Sequence, residues 1–346
     1  MLYQLADIGQ LAKQSVDSMG PGAYLVSLLP SATLIVSLIA IFTSHLFPGS
    51  AEIHAKGSLV PPGPAAVAFE LGGLNPAEDA LLVIGIVVGA VLLRPFQVSV
   101  DQFLEGYWRE HGRRRSLRAF ATERHRRRWT IARWRMTANV APPVGIKFGA
   151  VASYERDRGR QERFHRQGAR VTGQYPTQLT QFMPTRLGNI LRRWETSAGE
   201  RYGLVTISAY PRLYPHIGDR LDRAISAELD MLDTMSTFTF VFAVLTGASV
   251  PIAVRLDPWT ALPIGLLLAT ALCYRAAILA ANRYGELVAT AFDLHRFDMV
   301  AAMHRPLPRN LDVELAQNEA LSKLFQSSRP FESAERRTWN YKHPSS

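Results

Sequence analysis

Apolar residues gather into four long blocks along the chain, and charged residues crowd between them. The first block is 23–47, and no Asp, Glu, Lys or Arg occurs between Gly22 and Ala51. As a helix it reaches roughly 37 Å, enough to cross a hydrocarbon core of about 30 Å with some tilt. Pro30 lies inside this block and predicts a kink there. The second block is 80–100. Its strictly apolar part, 80–93, is short for a crossing, but Arg94 can snorkel toward the headgroups and 95–100 stay mostly apolar. The third block, 234–254, carries no charge between Asp233 and Arg255, and the fourth, 258–282, is interrupted only by Arg275. Only Arg255-Leu256-Asp257 links these two, so they form a tight hairpin. The pattern predicts an all-α membrane protein: four transmembrane helices in two hairpins, with a mainly helical cytoplasmic domain between them.

The first block exceeds a signal-peptide core, and Lys13 is the only basic residue before it, so it reads as a retained span. The distribution of Lys and Arg sets the orientation. Thirty-seven of the 39 lie in 1–22, 94–233 and 275–346; only Lys56 and Arg255 lie on the other side. The basic side is cytoplasmic by the positive-inside rule. The expected order is a cytoplasmic segment 1–22, span 23–47, outer loop 48–79, span 80–100, basic domain 101–233, spans 234–254 and 258–282, and a cytoplasmic helix and tail 283–346. Both termini then face the cytoplasm of a multi-pass plasma-membrane protein.

The outer loop is rich in Pro and Gly and predicts an irregular cap with little helix. His45, Glu52, His54 and Glu70 match no ligand spacing and read as solvated loop residues. The inner segment opens with 101–136, a helix continuing out of the second span, in which Trp108, Trp129 and Trp134 are interleaved with arginines. Tryptophan with arginine suits a headgroup layer and also single-stranded nucleic acid; nearness to the bilayer favours lipid. The candidate lipid or anion contacts are Arg94, Arg113, Arg114, Arg115, Arg126, Arg127, Arg128 and Arg275.

Further on, Thr185 is the expected N-cap of a helix from about 186 to 201, ending near Gly203. Residues 204–207 read as a short extended piece and 210–215 as a turn. Leu221, Ile225, Leu229 and Leu232 share one face of a helix that runs straight into the third span. After the fourth span a helix continues to about Met303, where Pro306 and Pro308 end it, and the tail beyond Arg329 is polar and frayed.

Within the spans, Gly265, Ala269, Cys273, Ala277 and Ala281 recur at a period of four, as do Gly85 and Gly89. Such ridges let helices approach closely, either within one subunit or between subunits. The hydroxyls Thr237, Thr239, Thr246 and Ser249 can line a pore, but more commonly such groups bond back to their own helix.

The formal charge of +10 would ordinarily point to nucleic acid, but here it sits beside the spans. Cys273 stands alone, which excludes an intramolecular disulfide and a cysteine zinc cluster. No phosphate-binding loop, HExxH, CxxC or nucleophile elbow occurs. Asp293, His295, Asp298 and His304 spread over a solvated helix face. No enzyme, cofactor or metal site is expected.

Pro184-Thr185-Arg186-Leu187-Gly188-Asn189, Arg201-Tyr202-Gly203 and Pro211-Arg212-Leu213 resemble a segment of a family of uncharacterised bacterial multi-span membrane proteins. The match covers about 30 residues and implies no activity. It implies that Pro184, Thr185, Arg186, Gly188, Asn189, Arg201, Tyr202 and Gly203 form the specific element of the cytoplasmic part, a gating or partner motif. The leading expectation is a homo-oligomeric channel or pore gated by its cytoplasmic domain. The alternative is a membrane-anchored scaffold or sensor whose basic domain binds a protein partner or anionic phospholipid headgroups.

Overall fold

The computed structural model describes residues 21–48, 50, 53–55, 58–73, 75–93, 97–108, 113–137, 148–327 and 341. These are predominantly helical: α1 Pro21–Thr43, α2 Pro64–Gly72, α3 Pro76–Leu93, α4 Gln97–Glu105, α5 Arg113–Thr137, α6 Phe148–Thr172, α7 Arg186–Glu200, α8 Thr206–Leu213, α9 Asp219–Ser249, α10 Ala261–Ala302 and α11 Leu311–Gln326. Two long helical stretches, Asp219–Val254 and Pro258–Ala302, have the length and composition to cross a membrane, which suggests membrane association. The apolar stretch Leu29–Thr43 of α1 is shorter. Glu52, Arg94, the residues before Pro21 and most of the tail beyond Arg329 lie outside the described residues.

Several elements depart from the sequence reading. The outer segment holds a helix, α2, and a two-stranded antiparallel hairpin, Ile53–Ala55 with Ser58–Val60, pairing His54 with Leu59. Pro64 at the first turn suits a helix start, because its missing N–H would be unbonded there anyway. The expected helix over 101–136 is divided: α4 ends at Glu105, Gly106 takes a positive φ of 98°, and α5 begins at Arg113. Residues 206–213 form α8 rather than an extended piece and a turn. Pro211 is the sixth residue of this eight-residue helix, so its missing N–H forgoes the bond that the Ile207 carbonyl would otherwise receive, and the helix ends two residues later.

The chain divides into two compact units, one of Met1–Gln102 with Leu229–Ala280, the other of Phe103–Glu228 with Ala281–Ser346. In the first, Leu34, Ile41 and Leu46 pack with Val241, Leu245 and Ile252. At Gly89 a Cβ would overlap the Ile35 side chain, so this glycine lets α3 lie close on α1. Thr33, Thr43, Thr237, Thr239, Thr246 and Ser249 all donate to carbonyls three or four residues back, so these hydroxyls are spent on their own helices. The turn between α9 and α10 places Leu256 in the left-handed region, and Asp257 caps the short turn of helix Pro258–Thr260 by accepting from the Trp259 N–H.

In the second unit α10 is the central element. Val288, Ala291, Phe292, Met299 and Val300 on its inner face pack with Ala198, Leu204, Leu213, Ile225 and Leu321. α11 completes this core; its N-cap Asn310 accepts from the Val313 N–H. The α10 terminus has paired bonds, Arg305 N–H to Val300 O and His304 N–H to Ala301 O, with His304 at φ 54°. This is the usual left-handed helix stop with histidine where glycine is commonest.

Candidate functional site

The segment 182–189 is a joint. Thr185 caps α7 by accepting from the Gly188 N–H at 3.0 Å, and its hydroxyl donates to the Glu105 carbonyl at 2.8 Å. A Cβ on Gly188 would overlap that same carbonyl oxygen, and one on Gly106 would overlap the Pro184 ring. Asn189 is fully buried; its amide donates to the Met183 and Thr185 carbonyls while its oxygen accepts from the Met183 N–H. Arg186 donates to Gln174. Thr185, Arg186 and Asn189 of this string thus each hold backbone or a neighbouring side chain.

His125 on α5 reaches the same joint. Its Nδ1 lies 2.9 Å from the Tyr175 hydroxyl, and its ring also donates to the Pro184 carbonyl. Burial, then Arg128, Arg124 and Arg186, pushes its pKa down to about 4, so the ring is neutral at physiological pH. A neutral ring accepting from Tyr175 and donating to Pro184 meets both contacts. Nothing in the spacing of His125 pointed to this role.

The Arg201-Tyr202-Gly203 string is the seat of α11. Gly203 has φ 74° and lies against the Leu315 backbone. Asn318 donates to the Tyr202 carbonyl and Ser322 to the Gly203 carbonyl, while Ser322 accepts from the Val205 N–H. Arg296 stacks on the Tyr202 ring, 4.0 Å from its centroid, and donates to the buried Glu314 at 2.7 Å. The Tyr202 hydroxyl donates to Asp293, which also pairs with Arg201. Asp293 therefore belongs to this seat, whereas His295 bonds Asp298. These groups do not converge on a shared site. His45 and Glu70 approach to 3.5 Å, and among the described residues no three His, Cys, Asp or Glu side chains gather as metal ligands.

A half-open cavity of about 240 Å³ lies beside the core, lined by Leu191, Trp194, Ile207, Tyr210, Tyr284 and Val288 among others. Trp194 fits because Gly285 leaves room for its indole, and Arg193 stacks over its ring at 4.4 Å. The Trp194 Nε1 is buried without a hydrogen-bond partner among the described residues.

The arginine segment is a helical hairpin. α6 lies close on α5 at Gly168, where a Cβ would come within 2.7 Å of the Ala132 carbonyl oxygen. Arg113, Arg114 and Arg115 open α5. Arg127 and Arg128 are exposed, but Arg126 turns inward and donates to the Leu179 carbonyl. Among the small residues, Gly85 and Gly265 are exposed with open space where a Cβ would sit, Ala269 and Cys273 are half-buried, and Ala277 and Ala281 are buried. Arg275 is exposed. Along this ridge exposure therefore falls from the open Gly265 to the buried Ala277 and Ala281.

The chain matches no protein-family model, and no curated protein or solved structure is significantly similar to it.

Proposed function

We propose that the chain is a homo-oligomeric channel of the plasma membrane, with four spans, cytoplasmic termini and gating through its cytoplasmic part. The observation that carries this reading is the unbroken course of α10. Its first half exposes Ile264, Leu267, Leu268 and Leu272, side chains suited to lipid or to another subunit. Its second half is the buried centre of the other unit's core. One hydrogen-bonded helix thus joins an apolar segment to a packed domain, so a change in that domain has a direct mechanical route into the apolar segment. The open Gly265, with the half-buried Ala269 and Cys273 following at the same spacing, supports oligomerisation, since small residues allow close helix contact in lipid.

The test is the mass of the complete protein in nanodiscs, set against the 38.5 kDa chain. A single species of four or more subunits that Gly265→Leu breaks down, with ion flux altered by Arg275→Ala, is the expected result. A monomer sinks the pore.

The exposed basic face of α5 favours a second reading, a membrane-anchored scaffold or sensor whose basic domain engages a protein partner or anionic lipid. Replacing the spans by an unrelated anchor separates the two: retained activity supports the scaffold, lost activity the channel.

A further inference from the structure

Four large apolar side chains of α5 are left uncovered by the rest of the chain: Leu117 at 61% exposure, Phe120 at 72%, Ile131 at 52% and Trp134 at 67%. At 3.6 residues per turn they fall within about 100° of the helix circumference. The exposed Arg124 and Arg127 lie within the same arc and Arg128 at its edge, with Arg127 also paired to Glu123 at 3.2 Å. The opposite face is already occupied. His125 meets Tyr175, Trp129 packs edge-on against Phe182, Ala132 is buried, and Met136 accepts from the Thr172 hydroxyl. Folding has therefore turned the polar-looking helix so that a mixed apolar and cationic face points outward.

We propose that this face of α5 lies in the plane of the inner leaflet, with Leu117, Phe120, Ile131 and Trp134 seated at the acyl boundary and the three arginines on anionic lipid phosphates. The inference rests on reading α3 as a span, because only 94–112, including the short helix α4, separates that helix from α5. It names the partner of the basic domain and does not require a pore.

Charge and side-chain type choose the occupant. An anionic bilayer offers phosphate and hydrocarbon at adjacent depths, which is what arginine and large apolar residues on one face need. Single-stranded nucleic acid uses aromatic stacking, which Leu117 and Ile131 cannot supply. A second copy docking through the same face would bring Arg124, Arg127 and Arg128 against their own counterparts. The row from Leu117 to Trp134 spans roughly 25 Å along the helix axis, long enough to lie flat but not to cross.

The test uses the complete chain with Cys273→Ser, carrying Phe120→Cys or Ala119→Cys labelled with an environment-sensitive fluorophore. Ala119 is exposed but lies about 110° around the helix from the centre of the apolar row. Each protein is placed in nanodiscs of phosphatidylcholine with or without phosphatidylglycerol. In the anionic discs the label at 120 should be shielded from acrylamide and quenched by lipids spin-labelled near the headgroup, by at least about twofold more than the label at 119. Arg124→Gln, Arg127→Gln and Arg128→Gln together should release it, since each basic residue contributes roughly a fivefold preference for an anionic surface. Equal access at 119 and 120 in anionic discs overturns the proposal. Shielding that ignores both the anionic lipid and the arginines assigns the face to a protein contact and also overturns it, as does shielding that requires an added oligonucleotide. The subunit count of the same discs is read separately, so a monomer defeats the pore without touching this result.

Discussion

Gly188 of α7 lies directly against the main-chain carbonyl of Glu105, the last residue of α4. No side chain fits between them, and the Thr185 hydroxyl bonds the same carbonyl. Gly188→Ala should therefore push α7 off this contact and cost about 1–3 kcal/mol, as overpacking of a tight interior does. Thermal unfolding of the complete protein reads this. An unchanged midpoint would mean that the joint at 182–189 is not a tight structural contact.

A similar close approach holds Trp194. Gly285→Ala would drive a methyl into the indole, whose displacement should remodel the cavity beside Tyr210 and Tyr284. The expected outcome is a shifted tryptophan emission that is lost when Trp194→Phe is added. Emission identical to the parent would show that α10 moves instead of the ring.

Arg296 and Glu314 form a largely buried pair, with side chains 16% and 8% exposed. Arg296→Ala leaves the carboxylate without its partner and should cost about 3–5 kcal/mol, while Arg296→Met with Glu314→Leu should recover most of that loss. Unfolding midpoints of the three proteins give the comparison. Equal losses in the single and double variants would show that packing, not the stranded charge, sets the cost.

Acid should loosen the joint through His125. Its folded pKa, about 4, lies below the ordinary 6.5, so the unfolded chain binds the proton more readily. The stability tied to the neutral ring is full above about pH 6.5 and is lost as pH falls from there through about 4. The ring is partly exposed, which limits the contribution to about 1–2 kcal/mol. His125→Gln should flatten this part of the stability profile between pH 7 and 4.5. The same acid slope in both proteins would remove His125 as its source.

Local chemistry made part of this molecule readable in one dimension. Thr185 announces a helix because its hydroxyl can meet a free N–H three residues on, and α7 begins there. The apolar blocks over 234–254 and 258–282 announce helices because uninterrupted apolar residues need internally bonded backbone, and α9 and α10 hold most of them. The stop of α10 before Pro306 is legible for the same local reason.

What the string could not contain are relations between distant residues. Gly106 breaks the helix expected over 101–136 because it must pass the Pro184 ring, a neighbour far along the chain. Arg126 and Arg128 look alike in sequence, yet one turns to the Leu179 carbonyl and the other to solvent. That Gly188 packs on the backbone of Glu105, and that Asn189 bonds the carbonyls of Met183 and Thr185, is likewise visible only in the fold. Propensity and capping act within a few residues, so they write elements into the sequence. Which faces are buried depends on partners brought close only by packing, and that is settled in three dimensions.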